Sequence, residues 1–156
     1  MRIGGIDPRT LPNEEVLVLP RGDQQIVFRA RGLANMDEFD AMCTEPKVPV
    51  RMTPDGIVEN RNEPNYKSVM LEYAKRRIAY IIVKSLEPSQ IEWETVDMSV
   101  PGSFANWESD LLNAGLNKFE CNRVLNLCFE ANSLDEGKIK KAREVFLQGL
   151  PQESAT

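Results

Sequence analysis

The chain has 156 residues, a net charge of −5, 42% hydrophobic and 28% charged residues, and no histidine. That length suits one folded domain with a core that needs no disulfide or metal. Missing histidine removes the usual proton shuttle and commonest metal ligand, and the acidic balance argues against broad phosphate-backbone binding.

Residues 1–13 hold Gly4, Gly5, Pro8 and Pro12 and read as a flexible arm. They have no apolar core and so do not read as a signal peptide, and the longest apolar run, Ile78 to Val83, is far short of a bilayer span, so the chain reads as cytoplasmic. Glu15–Leu19 and Gln24–Arg29 are short β-rich runs. Pro20-Arg21-Gly22-Asp23 lies between them, which makes a hairpin. A hairpin alone is marginal in water, so it must pack on helices or pair with another strand. Asn35 and Glu38 have the spacing of a capping box for a short helix reaching Cys43. Residues 44–64, with Pro46, Pro49, Pro54, Gly56 and Pro64, read as an extended linker.

Asn65 to Leu86 reads as the longest helix, roughly 33 Å at 1.5 Å per residue. Met70, Leu71, Ala74 and Ile78 form one apolar stripe; Val69, Tyr73 and Tyr80 form another. Ile78 to Val83 is apolar all round, as in a helix buried on every side or shared between packing partners. Ile91–Val96 suits an edge strand or an extended segment. Three helices should follow. Ser103 opens the first, which carries Phe104, Trp107, Leu111 and Leu112 and ends at Gly115. Capping boxes at Asn117/Glu120 and Ser133/Glu136 open the others, and residues 151–156 should fray. The expected fold is α+β and predominantly α-helical. A β-hairpin and short helix over 14–43 precede a helical domain over 65–150, giving four to five helices.

Chemistry is sparse. Glu92, Glu94 and Asp97 form one acidic set, and Asp37, Glu38 and Asp40 another; neither has the spacing of a metal loop or a catalytic pair. Cys43, Cys121 and Cys128 form no ligand pair and read as small buried hydrophobes. No catalytic residue, metal or cofactor is expected. The segment from Leu111 to Asn117 with the following helix has the form of a helix-turn-helix, in which Asn117, Lys118, Asn122 and Arg123 would face DNA. Glu120 and Glu130 oppose that reading, so nucleic acid is an unfavoured partner. Trp93, Phe104, Trp107 and Phe119 cluster in sequence and belong either to the core or to an interface. Val69, Tyr73, Tyr80, Trp93, Phe104 and Trp107 are the candidate protein-binding residues.

The layout resembles the tail assembly chaperones of long-tailed bacteriophages over about residues 14–150. The likeness lies in the N-terminal β segment, in Phe39-Asp40-Ala41-Met42-Cys43-Thr44-Glu45-Pro46-Lys47-Val48-Pro49, and in the Tyr-, Arg- and Ile-rich helix. It continues through Ile91-Glu92-Trp93-Glu94, Asn106-Trp107-Glu108 and Glu130-Ala131-Asn132-Ser133-Leu134-Asp135-Glu136. The resemblance implies a non-enzymatic protein of the host cytoplasm that self-associates and binds the tape measure protein and other tail proteins. No small-molecule substrate and no membrane are expected as partners. A structural tail or head–tail connector subunit and a DNA-binding regulator are the alternatives.

Overall fold

A computed structural model describes residues 1–133 and 136–150; the fraying expected of 151–156 lies outside them. Strands β1 (Glu14–Arg21) and β2 (Gln24–Arg31) form an antiparallel hairpin with Leu17 opposite Phe28 and Leu19 opposite Ile26. The strands run longer than the sequence suggested. Pro20 and Arg21 pair within the ladder, leaving Gly22 and Asp23 as the loop, with Gly22 at φ 58°. Glycine takes that left-handed conformation without a Cβ clash.

The hairpin does not stand alone. Its inner face meets α4 (Lys118–Asn132), and Leu19, Phe28 and Ala30 join the core. Ser89 Oγ accepts from the Arg29 N–H and donates to the Arg29 carbonyl, each at 2.7 Å. One hydroxyl thus satisfies both backbone groups of an edge-strand residue. The segments 14–43 and 65–133 consequently share one core rather than forming separate modules.

Helix α1 (Asp37–Met42) lacks the expected capping box. Asn35 accepts instead from the Asp37 N–H at 3.1 Å, and Met36 occupies the cap position. The Glu38 carboxylate, needed for the return bond, lies 3.4 Å from Lys84 Nζ and 3.4 Å from the Tyr80 hydroxyl. A distant cation and a phenol outcompete one local N–H.

The expected linker contains a second hairpin, β3 (Val50–Thr53) and β4 (Gly56–Glu59). Pro54 and Asp55 form its loop, so this proline sets a turn rather than an extended path. Pro64 is likewise the first residue of α2 (Pro64–Ser85), capped by Glu63, whose carboxylate accepts from Asn65 and Tyr66. Proline at that position sacrifices no intrahelical bond.

Residues 91–96 form no strand. A 3-10 turn over Pro101–Asn106 leads into α3 (Trp107–Asn113), and Ser103 does not cap that helix. Its hydroxyl accepts from the Asp97 N–H at 2.8 Å and so closes the 97–103 loop. Gly115 follows α3 at φ 107°, and the Leu116→Leu111 and Gly115→Leu112 backbone bonds complete a Schellman stop. The Asn117/Glu120 capping box is formed in both directions. The Ser133/Glu136 box spans positions 134 and 135, outside the described residues; Ser133 ends α4, its hydroxyl donating to Phe129. Helix α5 (Glu136–Gln148) buries no residue.

One close approach carries no sequence signature. A Cβ added at Gly32 would lie 2.5 Å from the Ala131 carbonyl oxygen, at the end of α4. The approach places the Leu33 N–H on Asn132 Oδ1 at 2.9 Å, while Asn132 Nδ2 donates to Ser85 at 2.6 Å. Gly32→Ala should therefore part β2 from α4 and lower stability by about 2 kcal/mol. A thermal melt should show a fall of roughly 4–8 °C.

Candidate functional site

Helix α2 is two different objects in sequence order. From Ala79 onward it enters the core: Ala79, Tyr80, Ile82, Val83 and Ser85 are buried. No residue from 64 to 78 is buried. Val69 (45% exposed), Leu71 (55%) and Ile78 (44%) remain open to solvent, while Met70, Tyr73 and Ala74 are half-buried. The apolar stripe read from the sequence is thus partly open: Leu71 and Ile78 are exposed, and Met70 and Ala74 are half-buried.

Grooves flank this outer half. Met70, Tyr73, Ala74, Arg77, Ile78 and Glu45 line one of about 450 Å³. Cys43, Pro46, Val69, Tyr73 and Arg76 belong to the lining of another of about 390 Å³. Tyr73 is common to both. The rod is fixed at its inner end by an aromatic relay. Phe39 meets Tyr73 at 5.6 Å and Tyr80 at 5.3 Å between ring centroids, and Tyr80 meets Phe104 at 5.6 Å.

This relay corrects part of the expected protein-binding set. Tyr80, Phe104 and Trp107 are buried in the core, with Tyr80 also lining the cleft beside Trp93, and none of the three sits on the exposed rod. Trp93 is half-buried in a separate cleft, and only Val69 and Tyr73 sit on the outer rod. The six residues do not form one surface. Aromatic residues serve cores and interfaces equally well, so composition did not separate the two. Phe119, 82% exposed at the start of α4, was not among the six.

The cleft beside Trp93 has a volume of about 270 Å³, with Glu38, Tyr80, Lys84, Glu87 and Ile91 in its lining. Lys84 Nζ stands 3.4 Å from both Glu38 and Glu87. Burial works against its charge, but Glu87 and Glu38 outweigh it and raise its pKa. Burial, then the Glu38 charge, also pushes the Tyr80 phenol up. Both groups keep their protons at neutral pH. The cleft offers fixed donors and charges.

The two acidic sets lie on different elements, one on α1 and one in the irregular 91–97 segment. Asp37, Glu38 and Asp40 occupy the first turn of α1, where the helix dipole favours them. Asp97 accepts from the Ser99 hydroxyl and N–H, and these bonds lower its pKa. No three His, Cys, Asp or Glu side chains gather as a metal-ligand set among the described residues. Cys43, Cys121 and Cys128 are buried free thiols, and burial pushes Cys128 up to about 12. In the helix-turn-helix segment, Asn117 is committed to its cap, Lys118 pairs with Glu108, and Glu120 pairs with Arg21.

The chain matches no protein-family model, no curated protein and no solved structure. Geometry therefore carries the functional reading.

Two further elements present apolar side chains outward. In β3–β4, Val50, Met52 and Ile57 share one face by register and are all exposed. On α5, Ile139, Phe146 and Leu150 recur at helical spacing along or just beyond the helix, also exposed. Lys138 of α5 pairs with Glu15 of the hairpin at 3.2 Å. No helix among the described residues is long and apolar enough to cross a membrane.

Proposed function

We propose that this chain is a non-enzymatic tail assembly chaperone of the long-tailed bacteriophage kind. It works in the bacterial cytoplasm, binds the tape measure protein and keeps it soluble until the tail tube forms. The observation that carries the reading is the outer half of α2, a helix rooted in the core at its far end, on which Val69, Leu71 and Ile78 are exposed. Such exposure costs solubility unless another surface covers it. A long helical client has matching stripes, and helix-against-helix packing buries both at once. Contacts repeated along the client by several copies would add avidity while each remained singly displaceable. The apolar faces of β3–β4 and α5 supply further contact surface.

Co-expression with the tape measure protein tests this. The wild-type chain should hold that protein in the soluble fraction and co-purify with it. Leu71→Asp together with Ile78→Asp should lose the complex, while the melting temperature stays near wild type because both sites are exposed. An equally soluble tape measure protein without the chain, and no complex, would sink the proposal.

The open edges of β3–β4 favour a second reading, a structural virion subunit that pairs strands with its neighbours. Under that reading the chain is present in purified mature particles. A chaperone leaves before maturation.

A further inference from the structure

The outer half of α2 has a charge opposite to that of the whole chain. Between residues 64 and 78, Lys67, Lys75, Arg76 and Arg77 stand against a single carboxylate, Glu72, in a chain of net charge −5. Glu72 lies 3.7 Å from Lys75. Among the described residues, no ion pair within 4.0 Å is formed by Lys67, Arg76 or Arg77. The two arginines are placed one per groove: Arg77 with Met70, Ala74 and Ile78, and Arg76 with Val69 and Tyr73. Each groove thus combines apolar side chains with one guanidinium and one carboxylate, Glu45 with Arg77 and Glu72 with Arg76, and Lys67 and Lys75 leave this helix surface cationic on balance.

We propose that this surface receives an amphipathic helix of a partner protein whose apolar stripe is bordered by aspartate and glutamate. The inference rests on the binding role proposed above and names the chemistry of the bound segment. Arginine forks suit planar carboxylates, and the stripe from Met70 to Ile78 suits apolar side chains at i, i+3 and i+4. A nucleic acid would use the cations but leave that stripe uncovered. The acidic remainder of the chain does not prevent docking, because screening at physiological salt confines the field to about 8 Å. An approaching acidic helix therefore meets the four cations of residues 64–78 against two carboxylates, Glu45 and Glu72.

Two synthetic helical peptides test this, identical in their leucine stripe and bordered by glutamate in one and lysine in the other. Each carries a fluorescein label and is titrated against the full chain by anisotropy at physiological salt. The glutamate peptide should bind at least about tenfold tighter. Arg76→Glu with Arg77→Glu should reverse the preference, and Ile78→Asp should weaken both peptides. Thermal melts matching wild type confine these effects to binding.

Equal binding of the two peptides, or an unchanged preference in the double variant, overturns the proposal. So does tighter binding of labelled single-stranded DNA than of the glutamate peptide. A sedimenting dimer that the double variant dissolves would assign the surface to a second copy and overturn it as well. A tape measure complex that survives the double variant, with no peptide preference, would defeat this inference and leave the chaperone reading standing. Peptide preference without any tape measure complex would do the reverse.

Discussion

Asp110→Ala should lower stability by about 3 kcal/mol and the melting temperature by roughly 6–12 °C. Asp110 is a buried carboxylate on the inner face of α3. It accepts from the Glu94 N–H at 3.0 Å, the Thr95 N–H at 2.9 Å, the Thr95 hydroxyl at 2.6 Å and the Val96 N–H at 3.4 Å. Those bonds replace the strand pairing that residues 91–96 do not make. Removing the carboxylate strands several donors, each costly when buried. Asp110→Asn, which keeps an acceptor oxygen, should fall between wild type and alanine. Burial acts to raise the pKa of Asp110, but the Thr95, Val96 and Glu94 bonds prevail and hold it below the usual 3.8. A folded value below the unfolded one makes this contribution complete above about pH 4 and lost as pH falls through the folded value. The stability difference between wild type and Asp110→Ala should accordingly shrink in acid below pH 4. Denaturant melts across that range measure it.

Phe104→Ala should cost about 3–5 kcal/mol, because the ring is fully buried and closes the relay onto Tyr80. A partner-binding role for Phe104 would instead predict an ordinary melt and weakened association. Denaturant unfolding separates the two, since a core cavity lowers the midpoint in the isolated chain. The residues that truly sit outside, Leu71 and Ile78, should behave oppositely, with near-normal melts and lost binding.

The elements whose signals are local were legible in the sequence. The first hairpin, the long helix, the Asn117/Glu120 cap and the Gly115 stop each rest on residues within a turn or two of one another. What escaped depended on distant partners. Glu38 abandons its local cap for Lys84 and Tyr80, far along the chain. Gly32 needs its missing Cβ only because the end of α4 arrives there. The β3–β4 hairpin was hidden by its prolines, which also fit a linker; the Thr53 and Gly56 pairing around Pro54 and Asp55 decides between them. Asp110 did leave a trace, as an acid beside Leu111 and three residues after Trp107 on a buried helical face. For the candidate site, periodicity found the Met70–Ile78 stripe, and the all-round apolar run from Ile78 to Val83 marked the half that enters the core, but pattern alone did not separate Tyr73 from Tyr80. Tyr80 and Tyr73 lie on the same face seven residues apart, yet only Tyr80 is buried.

Hydrogen exchange of the chain, free and bound to the tape measure protein, tests the binding role of the α2 rod most directly. The account predicts slowed exchange across residues 64–78 on binding, with residues 79–86, already in the core, unchanged. Protection confined to other elements, with 64–78 exchanging as in the free chain, would contradict it.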